Sequence, residues 1–96
     1  MTVFLRPAAA AEIDDAYRWY EKQRPSLGEE RLTEFGAILD TIESSPARYR
    51  VVHRDTRRAL LPRFPYAVLY RVRAPDLVVI AFFHGSRDPR HWRSRK

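Results

Sequence analysis

The chain has 96 residues, 45% of them hydrophobic and 12% aromatic, with a formal net charge of +6. This composition describes one folded domain over residues 1–96 rather than a disordered tail. The absence of cysteine excludes disulfide staples, thiolate nucleophiles and cysteine-based metal sites, and fits a reducing cytoplasm.

The first residues, Met1 to Pro7, lack the basic and apolar regions of a signal peptide. The longest apolar run, Leu77 to Phe83, is too short to span a bilayer, so no membrane association is expected.

Val3-Phe4-Leu5 reads as a short strand, ended by Pro7, a residue suited to the first turn of a helix. From Ala8 to Arg24 a helix is predicted, with Ile13, Ala16, Tyr17 and Tyr20 forming an apolar stripe at helical spacing. Glu12, Asp14 and Asp15 lie towards its N-terminal half, and Lys22 and Arg24 at its C-terminal end, as the macrodipole favours. Pro25 closes it, because the residue before a proline is pushed out of helical geometry. A second helix is predicted from Leu27 to Glu43 with Leu32, Phe35, Leu39 and Ile42 as its stripe, stopped by Ser44-Ser45-Pro46. So short a connection makes the two helices an antiparallel hairpin.

From Ala47 onward the period changes. Arg57–Leu61, Tyr66–Val72 and Leu77–Phe83 are strand candidates, the last with no polar position and therefore buried on both faces. Pro62-Arg63-Phe64-Pro65 is a bend, and Ala74-Pro75-Asp76 is a turn that makes the last two strands a hairpin. The expected fold is α+β, in the order β-α-α-β-β-β. An N-terminal helical hairpin packs on a small, mainly antiparallel sheet, followed by a short C-terminal tail.

Charge divides the chain unevenly. Residues 1–47 carry nine acidic and five basic side chains, whereas residues 48–73 carry eight Arg against Asp55. Sixteen of the eighteen basic residues are Arg, which grips carboxylates and phosphates with a planar fork. An acidic partner is the natural complement of the second half. Arg57, Arg58 and Arg63, with Arg87 from the segment His84-Gly85-Ser86-Arg87-Asp88-Pro89-Arg90-His91-Trp92, are expected to converge on one sheet face. Arg90 and Trp92 are further candidates for binding, although Trp92 also suits a hydrophobic plug that anchors the tail.

His53, His84 and His91 share no metal-ligand spacing, so no metal is expected. With glycine only at 28, 36 and 85 there is no phosphate loop, and Ser86 has no nucleophile-elbow context. No cofactor is implied. Histidine as a residue type suits general acid or base work, which makes His84 a candidate, but a single strand-end histidine is more commonly structural.

The run Arg58-Ala59-Leu60-Leu61-Pro62-Arg63-Phe64-Pro65-Tyr66-Ala67-Val68-Leu69-Tyr70-Arg71-Val72, followed by the apolar strand and His84-Gly85-Ser86-Arg87-Asp88-Pro89, resembles the RelE/ParE toxin superfamily of type II toxin–antitoxin systems. The likeness extends over the first strand and the helical hairpin. It implies a cytoplasmic toxin in a hetero-oligomer with a cognate antitoxin, whose acidic segment folds on the toxin.

The superfamily divides between ParE-like members, which poison DNA gyrase, and RelE-like endonucleases, which cut mRNA on the ribosome. RelE-like members place an Arg directly after the Tyr matched by Tyr66, where this chain has Ala67. They also carry lysines before it, and this chain has none between Lys22 and Lys96. Arg87 matches an Arg that RelE-like enzymes use. The resemblance therefore favours a ParE-like, non-enzymatic toxin. The alternative, an mRNA endonuclease, would rest on Arg87, His84 and Arg63.

Overall fold

In the computed structural model, which describes residues 2–85 and 90–95 (His91 by its backbone alone), strand β1, Thr2–Leu5, leads directly into helix α1, Pro7–Gln23. Pro7 sits in the first turn of α1, where its missing N–H costs nothing. Helix α2, Leu27–Ser44, returns antiparallel to α1. Strands β2, Arg50–His53, β3, Thr56–Leu60, β4, Tyr66–Arg73, and β5, Asp76–His84, follow, and helix α3, Arg90–Arg93, comes last.

The sheet has five strands in the order β1-β5-β4-β3-β2, with β1 parallel to β5 and all other pairs antiparallel. Sequence reasoning missed β2. Its four residues, Arg-Val-Val-His, are short and half polar, and they form a strand because β3 offers a free edge. Ala74-Pro75 in the β4–β5 turn is a cis peptide.

The helical hairpin is held by a close approach. A Cβ at Gly28 would lie 2.6 Å from the Tyr17 carbonyl oxygen and 2.7 Å from Cγ of Glu21, so only glycine fits. Ser26, at φ 72, starts α2 without capping it through its own side chain. Glu21 of α1 does so instead, accepting from the backbone N–H of Ser26 and of Glu29, each at 3.2 Å. On α2 the core face is Phe35, Ile38 and Ile42; Leu32, placed on the predicted stripe, is 41% exposed.

The apolar β5 is buried on both faces, as its composition requires. Towards the helices it presents Leu77, Val79 and Phe82, which pack with Phe35, Ile42 and Tyr70. Towards α3 it presents Val78, Ile80, Ala81 and Phe83, covered by Trp92 and flanked by Val52. Residues 80 and 81 share a face because of a bulge: Leu69 pairs with Ala81 but Tyr70 with Val79, leaving Ile80 as the extra residue.

The bulge lies where β1 ends. β1 covers the outer edge of β5 as far as Val79, whose carbonyl accepts from Arg6 N–H at 2.9 Å. Beyond it, side chains satisfy the strand. Phe82 N–H donates to Glu12 Oε1 (3.1 Å), and Arg95 Nη1 donates to the Ile80 carbonyl (3.1 Å). Glu12 and Arg95 also pair with each other at 2.7 and 3.2 Å, a bidentate clasp around the sheet edge.

Candidate functional site

Two surfaces stand out, one on each side of the sheet. The first is a cleft of about 540 Å³ between α1 and the end of β5. The turn-by-turn rise of α1 brings Glu12, Asp15, Trp19 and Tyr20 to its rim, and β4 and β5 supply Tyr66, Phe82 and His84. Tyr66 stacks on Phe82 at 4.9 Å between centroids and meets the His84 ring edge-on at 5.5 Å. Trp19 is 55% exposed. A large aromatic left open beside a groove is the usual form of a partner-binding anchor.

At one end of this cleft lies a cation–aromatic cluster. The Arg31 guanidinium is 3.1 Å from the centroid of Phe64 and 5.2 Å from that of Tyr20. Arg31 and Arg63 each approach Glu34 Oε1 at 3.9 Å, distances that allow attraction without a good hydrogen bond.

The second surface is the sheet face opposite the helical hairpin. Alternation along β3 divides the arginine pair: Arg58 points to this face, whereas Arg57 points to the helical side. There Arg57 donates to the carbonyls of Tyr49 (2.6 Å) and Ala47 (3.2 Å), a structural engagement. The expected convergence of Arg57, Arg58 and Arg63 on one face does not occur, because neighbours on a strand face opposite ways and Arg63 sits in the bend after β3. Arg87 lies outside the described residues, as do Ser86, Asp88 and Pro89. Arg90 begins α3, and Trp92, at 4% exposure, serves as the plug and is not a contact surface.

Beside α3 a hollow of about 390 Å³ is lined by Arg54, Asp55, Arg71, Arg73, Arg93, Ser94 and Arg95. Sequence reasoning missed it, since Arg54, Arg71 and Arg93 come from three separate elements. The clustering of Arg in residues 48–73 was the only signal available. Arg71 is fixed by Nε donating to the buried Thr56 hydroxyl (3.0 Å) and Nη2 donating to the Arg95 carbonyl (2.9 Å). Arg73 donates to Asp55 at 2.6 Å, and Arg71 lies 3.3 Å from the same carboxylate.

The hydrogen bond from Arg73 holds the Asp55 carboxyl below its usual value, and the nearby charges of Arg73 and Arg71 add to this. A lowered folded value means that the contribution to stability is present above the unfolded carboxylate range and is lost as pH falls through the lowered value. In an NMR titration the Asp55 carboxyl is expected to have its midpoint below 3.8, and Arg73→Ala is expected to raise it. A midpoint at or above 3.8 in the unmodified chain would contradict this pairing.

Among the described residues no group of His, Asp or Glu is arranged to hold a metal, and no helix is long and apolar enough to cross a membrane. Tyr70, fully buried, donates its hydroxyl to the Pro46 carbonyl at 2.6 Å, and burial pushes its phenol above the ordinary value.

A leading parallel strand, a helical hairpin on one sheet face and an antiparallel C-terminal unit make up the arrangement that the resemblance to the RelE/ParE class implied. The solved structure described as the chromosomal ParDE TA system from P. aeruginosa shares this fold, with a TM-score of 0.76 at 16% identity, covering 88% of this chain and 95% of that one. A family model described as the ParE toxin of type II toxin-antitoxin system, parDE, matches residues 3–89. The chain belongs to the ParE toxin family. No curated protein matches it in sequence.

Proposed function

We propose that this chain inhibits growth by binding DNA gyrase in the cytoplasm, without catalysis of its own, and is held inactive by a cognate antitoxin in a hetero-oligomer. The family match over residues 3–89 is the observation that carries this reading. The state of Ala67 supports the non-enzymatic part. This position, where an endonuclease of the superfamily would place a cation, holds a methyl group 1% exposed, packed in the cluster under α3. In-line attack by a ribose hydroxyl needs positive charge at the scissile phosphate, and a buried alanine supplies none.

The cleft between α1 and β5 supports the antitoxin part. Its aromatic lining and exposed Trp19 suit an amphipathic segment that folds as it binds. Purified toxin added to a gyrase supercoiling reaction is expected to block supercoiling, and added to a translating extract to leave mRNA intact. Cleaved mRNA with untouched supercoiling would reverse the reading in favour of an endonuclease using Arg87, His84 and Arg63. Addition of the antitoxin is expected to restore supercoiling.

A further inference from the structure

The sheet face away from the helical hairpin gathers positive charge well beyond its internal needs. Arg50 of β2 and Arg58 of β3 are directly opposite each other in the ladder, both exposed. Like charges in that relation destabilise a sheet. Arg54, in the β2–β3 turn, and Arg93, on α3, are exposed at the rim of the arginine-lined hollow. No carboxylate of the described residues pairs with any of these four. Asp55, the one carboxylate lining the hollow among the described residues, is already engaged by Arg71 and Arg73.

We propose that this face binds the phosphate backbone of duplex DNA. Arginine forks match phosphate oxygens in paired contacts, and protein–DNA interfaces are more polar and more positive than protein–protein ones. An acidic protein partner would require apolar anchors at the centre of its contact. Of the exposed apolar side chains, Trp19, Leu32, Leu5 and Val51 are on the helical side. Phe4 and Leu60 share this face only at its margins, on the outer strand β1 and at the end of β3 away from Arg54, so neither forms an anchor at the centre of the arginine group. Single strands are gripped through aromatic stacking platforms, and the aromatics in the middle of this face, Trp92 and Phe83, are buried, while Phe4 is out on the edge strand β1. The arrangement suits sequence-independent contact with a duplex.

The proposal is independent of whether gyrase is the target. Binding of the full chain to a fluorescent duplex of about 20 base pairs is to be followed by anisotropy at about 50 to 200 mM salt. Four phosphate contacts predict a log–log salt slope of roughly −3.6 and a weakening on the order of 10²-fold across that range. The pairs Arg50→Gln/Arg58→Gln and Arg54→Gln/Arg93→Gln are each expected to reduce the slope by about 2. Arg18→Gln, on α1 and paired with Asp14, is the control and is expected to leave it unchanged.

All five positions are exposed, and circular dichroism would verify that each variant is folded. Three outcomes would overturn the proposal: no binding at the lowest salt, an unchanged slope in both folded pair variants, or displacement by polyglutamate at equal charge as effective as by unlabelled duplex. The first is read on the unmodified chain and depends on no variant. Tighter binding of single-stranded DNA or of RNA would assign the face to another occupant.

Discussion

Trp92→Ala is expected to reduce stability by about 3–5 kcal/mol, the usual cost of truncating a buried tryptophan. The ring is 4% exposed, packs against Phe83 at 6.2 Å and His53 at 5.8 Å, and covers the second apolar face of β5. α3 has only four residues and forms no independent structure, so this ring is its anchor. Without it, Val78, Ile80 and Phe83 meet water. In a chain of this size a loss of that order lowers the melting temperature by about 15 °C or more. It also consumes much of the roughly 5–15 kcal/mol that a domain has.

Trp92→Phe separates packing from hydrogen bonding. The indole N–H is buried with no partner among the described residues. Its removal eliminates an unsatisfied donor, which offsets part of the lost area, so this variant is expected to cost less than about 2 kcal/mol. Urea unfolding measures both. A Trp92→Ala loss below about 1 kcal/mol would show that α3 is not needed to seal the sheet.

The second large effect concerns the clasp at the sheet edge. Glu12→Ala is expected to cost about 2–3 kcal/mol. It strips the Phe82 N–H of its acceptor and leaves Arg95 without its counter-charge. The figure is below that for a fully buried pair because the two side chains remain 17% and 22% exposed. Glu12→Gln keeps an acceptor for Phe82 and is expected to lose about half as much. A double-mutant cycle with Arg95→Ala should give a coupling of about 1–2 kcal/mol, since each residue also bonds the β5 backbone separately. Additive losses would mean that the two side chains act independently.

Physically, the clasp does for the end of β5 what a further β1 residue would do elsewhere. Open strand edges recruit other strands, and Glu12 and Arg95 occupy the two backbone groups that such pairing would use. The same pair attaches the chain's C-terminal end to α1, with Arg71 accepted by the Arg95 carbonyl on the other side. Arg95 thus joins the clasp to the wall of the basic hollow.

Much of this was legible in the sequence. Helical spacing and the prolines at 7, 25 and 46 located both helices to within a residue or two. The uniformly apolar run at 77–83 identified β5 as central, and the family likeness lay in its neighbours. The clustering of arginine after residue 47 foretold a basic surface. Local chemistry suffices for these features because propensity, capping and burial act over a few residues at a time.

Other features were decided only by tertiary packing. β2 is a strand because β3 offered it an edge, not because Arg50–His53 asks to be one. The bulge at Ile80 is invisible in a run where every residue is apolar, since no polar position marks the shift of face. Glu12 and Arg95 are 83 residues apart, and no periodicity links them. Arg57 and Arg58 look like one basic unit on paper. The pleat sends one to backbone carbonyls beneath the sheet and the other to the open face. The sequence alone determined that there would be a basic half. Which arginines form its surface, and which are consumed in holding the fold, was settled by the three-dimensional pairing of residues far apart in the chain.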